Sequence, residues 1–467
     1  MSRSNLFSRG FSRGSSTENL VIPEQPKITL DSEQSEIVYS KANNIAVIAG
    51  AGSGKTRVLT ERIKYLIESG VKPQNIVAVT FTNMAAEEMK LRLKDVEGVE
   101  EAFIGTIHSF ANRVMKHTGE VYQIYTDEVE NDLFNYLISK YADFLQYPKY
   151  LAFKDVKALY EIGQASKFEY DSFLTPSEKA EYRLFTRPFD KVEEDLREYG
   201  EEYKYRESVE TLIKSRNILT FDDILKKAKQ YFEDNNVRVE YLLVDEFQDV
   251  GKLEYDFLRS LEAEHEFFVG DDWQAIYGFK GGNCQLFLSV VNDPEFEVYR
   301  LTKNYRCAKS IISLGDTVIK QASNIIPKQI EAVRDTEGVI SVNNKKNLDI
   351  FLAETFIKGQ RKDYKDWFIL CRKNEELFKV VKTLERLNIP AVTFKREGLS
   401  LDDLKRLLAE NTVKVLTVHT SKGLENKNVI LYGNFPVVCP PYFLNSDERK
   451  VMYVGVTRAE NSLYLFR

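Results

Sequence analysis

A surplus of positive charge is the first thing this 467-residue chain lacks: 65 lysines and arginines stand against 71 acids, a formal net charge of −6. A globally basic footprint is therefore excluded, and any nucleic-acid contact must be a local groove of Lys, Arg and aromatic side chains. Cysteine is scarce too. Cys284, Cys307, Cys371 and Cys439 lie far apart with no CxxC spacing. Neither a zinc site nor a disulfide framework is indicated, which fits the reducing cytoplasm expected as the location. No apolar run approaches the length that spans a bilayer, so no membrane partner is expected. What is present in quantity is core-forming residue, 43% of the chain, enough for large cores in roughly two to four domains.

Residues 1–28 differ from the rest. The stretch Met1 to Ser16 holds Arg3, Arg9 and Arg13, many serines, a repeated Phe-Ser-Arg-Gly and no acid. This is the composition of a flexible, weakly basic tail; a transit peptide shares it, and both readings stand open. Beyond the tail, short β-branched runs alternate with amphipathic stretches. Candidate strands are Ile45–Ala49, Ile76–Thr80, Ala102–Gly105, Tyr241–Asp245 and Phe267–Gly270. A second set follows at Glu297–Leu301, Val339–Val342, Trp367–Cys371, Val413–Val418, Asn428–Tyr432 and Ser462–Phe466. Such alternation predicts an α/β fold with two tandem, doubly wound parallel sheets. The expected boundaries are 29–110 with 216–285 for the first domain and 286–467 for the second, which carries a short stub at about 394–411. Between them, 111–215 reads as a helical insertion, its aromatics (Tyr141, Phe144, Tyr147, Tyr150, Phe153 and Tyr160) fitting a core better than a binding platform.

The run Ala49-Gly50-Ala51-Gly52-Ser53-Gly54-Lys55-Thr56 has few uses besides gripping a nucleoside triphosphate. Its glycines let the backbone curl until successive N–H groups point at phosphate oxygens. Lys55 then reaches the β- and γ-phosphates and the Thr56 hydroxyl is placed for Mg²⁺. An apolar strand precedes the loop, and a helix from Arg57 to Tyr65 follows, presenting its N-terminal dipole to the anion. Ala49 stands where the strict P-loop pattern has Gly. Downstream, Tyr241-Leu242-Leu243-Val244-Asp245-Glu246 is an apolar strand ending in two acids. Asp245 suits the outer shell of the magnesium. Glu246 suits the place beside the γ-phosphate where a carboxylate orients and deprotonates the attacking water. Acids at strand ends are common, so it is the pairing with the P-loop that makes the signal specific.

The blocks that accompany these two resemble the UvrD/Rep/PcrA family of superfamily 1A DNA helicases, in order, from about Leu30 to the C-terminus. Leu30-Asp31-Ser32-Glu33-Gln34 is similar to the family's adenine-reading motif, which implies that Gln34 bonds the base, and Arg57 matches a residue lying along the nucleotide. Val79 to Ala86, with Phe81, Thr82 and Asn83, and Gly105 to Phe110, with His108, resemble the two single-strand-contacting motifs of the first domain. Gln274, in Gly270-Asp271-Asp272-Trp273-Gln274, corresponds to the γ-phosphate sensor. Tyr305 matches the tyrosine that stacks on adenine, and Arg306 and Arg458 match the two γ-phosphate arginines, which contribute roughly 10³–10⁵-fold in rate. Val413 to Glu425, with His419, Ser421, Lys422, Gly423 and Glu425, resembles the motif that touches DNA and the ribose. Departures are visible. Trp273 stands where Asp is commonest and Phe279 where Trp is, both expected to keep a stackable surface near the DNA. Asn426 replaces an aromatic or aliphatic residue. About a hundred residues separate Arg306 from Val413, where relatives place a large helical subdomain, so the chain resembles a compact member lacking most of that insertion.

The resemblance implies ATP and Mg²⁺ as cofactors and single-stranded DNA and 3′-tailed duplex as partners. It also implies 3′→5′ motion driven by closure of the two lobes on ATP. Phe81, Tyr277 and Phe279 would offer ring faces at about 1–3 kcal/mol per stacked base. Lys280 and the backbone near His108 and His419 would hold phosphates. An alternative within the family is a DNA-stimulated ATPase subunit that works with a nuclease or a replication or repair factor. A P-loop kinase or transporter-type ATPase is disfavoured by the second set of strands and the absence of an LSGGQ-like stretch. The intact set Lys55, Asp245, Glu246, Gln274, Arg306 and Arg458 disfavours a non-catalytic scaffold.

Overall fold

The computed structural model describes residues 29–126, 128–129, 132, 213–278, 281–396, 399–433, 435 and 446–467. The 1–28 tail, the aromatics singled out between Tyr141 and Tyr160, Phe279, Lys280 and Cys439 lie outside the described residues.

Strands buried on both faces are written as continuous apolar runs rather than alternating ones, and the first sheet follows that rule. It comprises β1 (Asn44–Ala49), β2 (Ile76–Thr80), β3 (Phe103–Thr106), β6 (Tyr241–Val244), β7 (His265–Gly270) and β8 (Glu297–Leu301), in the order β3-β2-β6-β7-β1-β8. Every pairing is parallel. Ile45, Val47, Ala78, Leu243 and Val269 pack from the sheet against Val58, Leu59 and Ile63 of the helix Lys55–Glu68. That helix is amphipathic because its buried positions recur at intervals of three and four.

The second sheet contains β11 (Val339–Asn343), β12 (Trp367–Cys371), β13 (Ala391–Val392), β14 (Val413–Thr417), β15 (Asn426–Tyr432) and β16 (Ala459–Phe466), again all parallel, in the order β11-β16-β15-β12-β14-β13. Phe368, Leu416, Val429 and Leu463 face one core, and Trp367, Ile369, Val415 and Ile430 the other. Two short strands, β9 (Lys303–Asn304) and β10 (Glu331–Ala332), pair with each other next to the P-loop. Tandem doubly wound sheets are thus the architecture, as the alternation predicts.

One strand changes sides. Glu297–Leu301, which reads as the first of the second set, pairs with β1 from Ile45↔Glu297 to Ala49↔Leu301 and forms the edge of the first sheet. Its exposed, polar outward positions are what an edge strand tolerates. At β15 the strand starts at Asn426 rather than Asn428, with a register irregularity between those two residues. The unusual Asn426 is absorbed by that irregularity.

Residues 111–228 form a separate compact unit. Its described part holds β4 (Gln123–Ile124) and β5 (Ile218–Leu219), paired in parallel, with Val129 and Ile218 packed beside Tyr125 and Ile213. Lys227 and Glu120 form an ion pair at 2.7 Å.

Candidate nucleotide cleft and strand path

The first sheet directs the C-terminal ends of its strands at one cavity of about 550 Å³, the place where open α/β sheets bind ligands, and the second sheet lines it with residues just before β15 and β16, among them Glu425 and Arg458. The P-loop leaves β1 there. Ala49 is the last strand residue, fully buried and outside the positive-φ region, so a methyl group is harmless at that point. The later glycines are different. Gly52 has φ +65°, and a Cβ on it would lie 2.8 Å from Arg306 Cβ; Gly54 has φ +87° and faces the Gln34 amide at 3.0 Å. Gly50 and Ala51 complete the curl, with Ser53 Oγ donating to the Gly50 carbonyl at 2.8 Å.

Gln34 is pinned from two directions. Its Nε2 donates to the Ser53 carbonyl at 3.2 Å, and its Oε1 closes a capping box with Asp31. It therefore lies against the P-loop, with one amide proton left for a ligand. Tyr305 lies nearby, 40% exposed, its N–H bonded to the Gly52 carbonyl and its hydroxyl to the Asp31 carboxylate. Arg57, in the first turn after Thr56, lines the same cavity. Together these residues make a partly open wall suited to a flat aromatic ring.

Thr56 Oγ1 donates to Asp245 Oδ2 at 3.0 Å, joining the P-loop to the end of β6. Burial, reinforced by the neighbouring Glu246 charge, pushes the Asp245 carboxyl up to about 7. Glu246 has φ 53°, a left-handed backbone that a non-glycine residue adopts at a cost, and this turns its carboxylate into the cavity. Burial opposes its ionisation, but Lys55 and Lys422 outweigh burial and hold its pKa below the ordinary value. Gln248 Nε2 donates to Glu246 Oε2 at 2.5 Å and to Asp249 Oδ2 at 3.0 Å. Glu246 is thus charged and oriented, as a base must be.

Gln274 joins the two sheets. Its Nε2 donates to Asp271 Oδ2 at 2.5 Å at the end of β7, and its Oε1 accepts from Arg458 Nη2 at 3.1 Å. Arg458 is buried and donates further to the Val454 and Leu424 carbonyls at 3.0 Å each. Burial, with Arg306 close by, lowers its pKa to about 10, so it stays a cation at neutral pH. Arg306 is ion-paired with Glu425 and donates to the Thr457 carbonyl at 3.2 Å. Both guanidinium groups and Glu425 line the cavity opposite Lys55.

Of the residues expected to touch DNA, the structure brings Phe81, Tyr277 and His419 together. The Phe81 and Tyr277 rings stack with centroids 5.1 Å apart, and the Tyr277 hydroxyl donates to the His419 carbonyl at 3.3 Å. Thr82 caps the helix Asn83–Leu93 by accepting from Ala85 N at 3.2 Å, and Asn83 is exposed at its first turn. His108 lies in the first turn of the helix Ile107–His117. Trp273 does not offer the ring face expected of it. It is 1% exposed, packs with Ala51, Ile319 and Tyr453, and donates Nε1–H to the Ile326 carbonyl at 2.9 Å. An indole that large is accommodated by a core, and its N–H finds a partner there.

Several site residues go beyond the sequence reading, which places Lys422 only within the motif resembling one that touches DNA and the ribose and gives the others no role. Lys422 reaches across from the second sheet to Asp249 and, at 2.9 Å, to the Gln274 carbonyl. Burial alone would push its pKa down, but Asp249 and Glu246 push it up. Arg396 lines the cavity and donates to the Lys422 carbonyl. The Thr80 hydroxyl is buried at the end of β2 with no hydrogen-bond partner among the described residues. Asp271 and Lys328 pair at 2.5 Å. A signal existed for Asp271, which sits in the Gly-Asp-Asp run; Lys328 has no local pattern around it.

Comparison with known proteins agrees with this geometry. Residues 30–295 match the UvrD/REP helicase N-terminal domain, and residues 299–399 and 394–466 match the UvrD-like helicase C-terminal domain. The two C-terminal blocks meet within the stretch read from the sequence as a short stub. Among curated proteins, the ATP-dependent DNA helicase PcrA of Staphylococcus epidermidis is 31% identical over 386 residues, 77% of this chain and 50% of that protein. The PcrA of Staphylococcus aureus matches to the same extent. The chain spans about half the length of these relatives.

Proposed function

We propose, since the chain belongs to the UvrD/REP helicase family, that it is an ATP-driven motor on single-stranded DNA, moving 3′→5′ and hydrolysing ATP in the cleft between its two sheets. The observation that carries this reading is Gln274, whose amide touches Asp271 beside the P-loop lysine and Arg458 from the second sheet at once. A triphosphate held by Lys55 would present its third phosphate between these groups. Arg306 and Arg458 then balance the charge that develops during transfer, while Glu246 takes the proton of the attacking water.

The residues present fit a magnesium ion. A buried Asp245 with a raised pKa and the Thr56 hydroxyl stand 3.0 Å apart at the mouth of the P-loop, an oxygen donor pair suited to a hard cation that keeps several waters. Mg²⁺ bound there would neutralise charge on the β- and γ-phosphates.

The strand would lie over Phe81 and Tyr277, whose rings stack on each other, with Lys422 Nζ over the Tyr277 ring at 4.9 Å from its centroid. Lys422 also bonds the Gln274 backbone, so movement at the phosphate end reaches the rings through two side chains. Closure and opening of the cleft then become stepping. A second reading, a DNA-stimulated ATPase with little unwinding of its own and dependent on a nuclease or replication or repair partner, is favoured by the spacing of about a hundred residues between Arg306 and Val413. ATP turnover with and without single-stranded DNA, followed by unwinding of duplexes with 3′ or 5′ tails, separates the two. Turnover indifferent to DNA would overturn both.

A further inference from the structure

A lysine taken out of water is costly unless carboxylates surround it. Lys328, on the segment between the helix Lys309–Ile319 and β10, is such a lysine: its side chain is 3% exposed. Its Nζ meets Asp271 Oδ1 at 2.5 Å, Asp272 Oδ1 at 2.6 Å and the Ala49 carbonyl at 2.9 Å, and lies 4.9 Å from the Trp273 ring centroid. The segment is itself clamped, since Ile326 N donates to Asp272 Oδ2 at 2.7 Å and Arg300 Nη1 donates to the Pro327 carbonyl at 3.1 Å. Asp271 holds a second cation more loosely. Lys55 Nζ stands 3.8 Å from Asp271 Oδ2, an oxygen already engaged by Gln274 at 2.5 Å.

We propose that Lys328 is a positioning residue for the P-loop lysine. It permanently balances Asp271, so that Asp271 parks Lys55 weakly in the empty cleft and releases it to phosphate without being left as a bare buried charge. The inference rests on the cavity being an ATP site. Lys328 on Oδ1 and Gln274 on Oδ2 give both Asp271 oxygens a partner without Lys55, whereas Asp271 without Lys328 would have Lys55 as its nearest cation and would compete with the nucleotide for it.

The test is equilibrium binding of ADP and of a non-hydrolysable ATP analogue, alongside steady-state turnover. Lys328→Met should weaken both nucleotides by about tenfold or more, with KM for ATP rising by the same factor and kcat falling less. Adding Asp271→Asn to Lys328→Met should return affinity to within about threefold of the parent, because the competing carboxylate is gone. Lys328→Arg should bind as the parent does. A folded Lys328→Met protein with parental affinity, or a double variant as weak as the single, overturns the proposal. Should Lys328→Met fail to fold, Asp271→Asn alone decides: it keeps Asp272 to balance Lys328 and should bind nucleotide at least as tightly as the parent, whereas tenfold weaker binding overturns the idea. If the parent protein itself binds no nucleotide, the ATP reading falls and takes this inference with it.

Discussion

Glu246 and Arg458 illustrate two ways in which a single side chain is prepared for chemistry. Glu246 is kept ionised by cations and aimed by a strained backbone and one amide, Gln248. Glu246→Gln keeps the shape and removes the proton acceptor. It should therefore retain ATP binding while kcat falls by roughly 10²–10⁴-fold, the range of general-base contributions. Parallel measurement of nucleotide affinity and turnover checks this, and parental turnover would show that another group takes the proton. Arg458 has its guanidinium tied to the Val454 and Leu424 carbonyls and Gln274, so its place is fixed before any ligand arrives. Its removal takes away a buried cation and leaves four acceptors, Thr457 Oγ1 among them, without its N–H donors. Loss of stability and loss of turnover should accompany each other in Arg458→Ala, seen as a lower Tm together with a kcat deficit. At this scale the sequence was most legible where chemistry is local. The P-loop, the Asp245-Glu246 pair and the Gly-Asp-Asp run each announce a backbone shape and a charge in consecutive residues. Lys328 and Arg396 were not legible, because what makes them special is a partner far away in the chain. The burial of Trp273 escaped for the same reason: its neighbours Ile319 and Tyr453 lie outside its own block.

Whole strands were legible because parallel sheets buried on both faces leave continuous apolar runs. Assigning a strand to a sheet was less so. Glu297–Leu301 pairs with β1 along its backbone and adds only Leu301 and Tyr299 to the first core, too few apolar side chains for the sequence to declare which sheet it joins. One strand carries a testable oddity. Lys414 sits in β14 with its side chain buried, donating to the Glu410 and Thr412 carbonyls, and burial lowers its pKa from 10.5 to about 8. The unfolded chain therefore binds the Lys414 proton more tightly than the folded one. Between pH 8 and 10.5 the unfolded state carries more protons, so stability contributed at this site rises with pH across that window. In Lys414→Met the term is absent. The stability of the parent relative to Lys414→Met should accordingly improve as pH rises from 8 to 10.5, read from denaturant unfolding of both proteins at several pH values. A difference that stays flat or moves the other way would mean that Lys414 keeps its ordinary pKa in the fold.

At the scale of the whole molecule, the cleft receives charge from both sheets, and the two contributions should address different phosphates. In the proposed site the P-loop would surround the diphosphate end through backbone N–H groups and Lys55; Arg306 and Arg458 line the far wall of the cavity. A ligand that binds only the folded state adds about 2.7 kcal/mol of stability at a hundredfold excess over its Kd, and each nucleotide reports which wall it reaches. ADP should draw its stabilisation mainly from the P-loop side. A non-hydrolysable ATP analogue should add a further increment, since its third phosphate comes within reach of the second sheet. Arg306 is the better arginine with which to test this, because its present partner, Glu425, has a side chain 49% exposed and is left solvated when the arginine goes. In Arg306→Ala the rise in Tm given by the ATP analogue should shrink towards that given by ADP, while the ADP shift stays as in the parent. Thermal unfolding at matched fractional saturation decides it. Equal shifts for the two nucleotides in the parent protein, or an undiminished difference in the variant, would mean that the third phosphate does not meet the second sheet, and with that the coupling of hydrolysis to cleft closure would lose its physical basis.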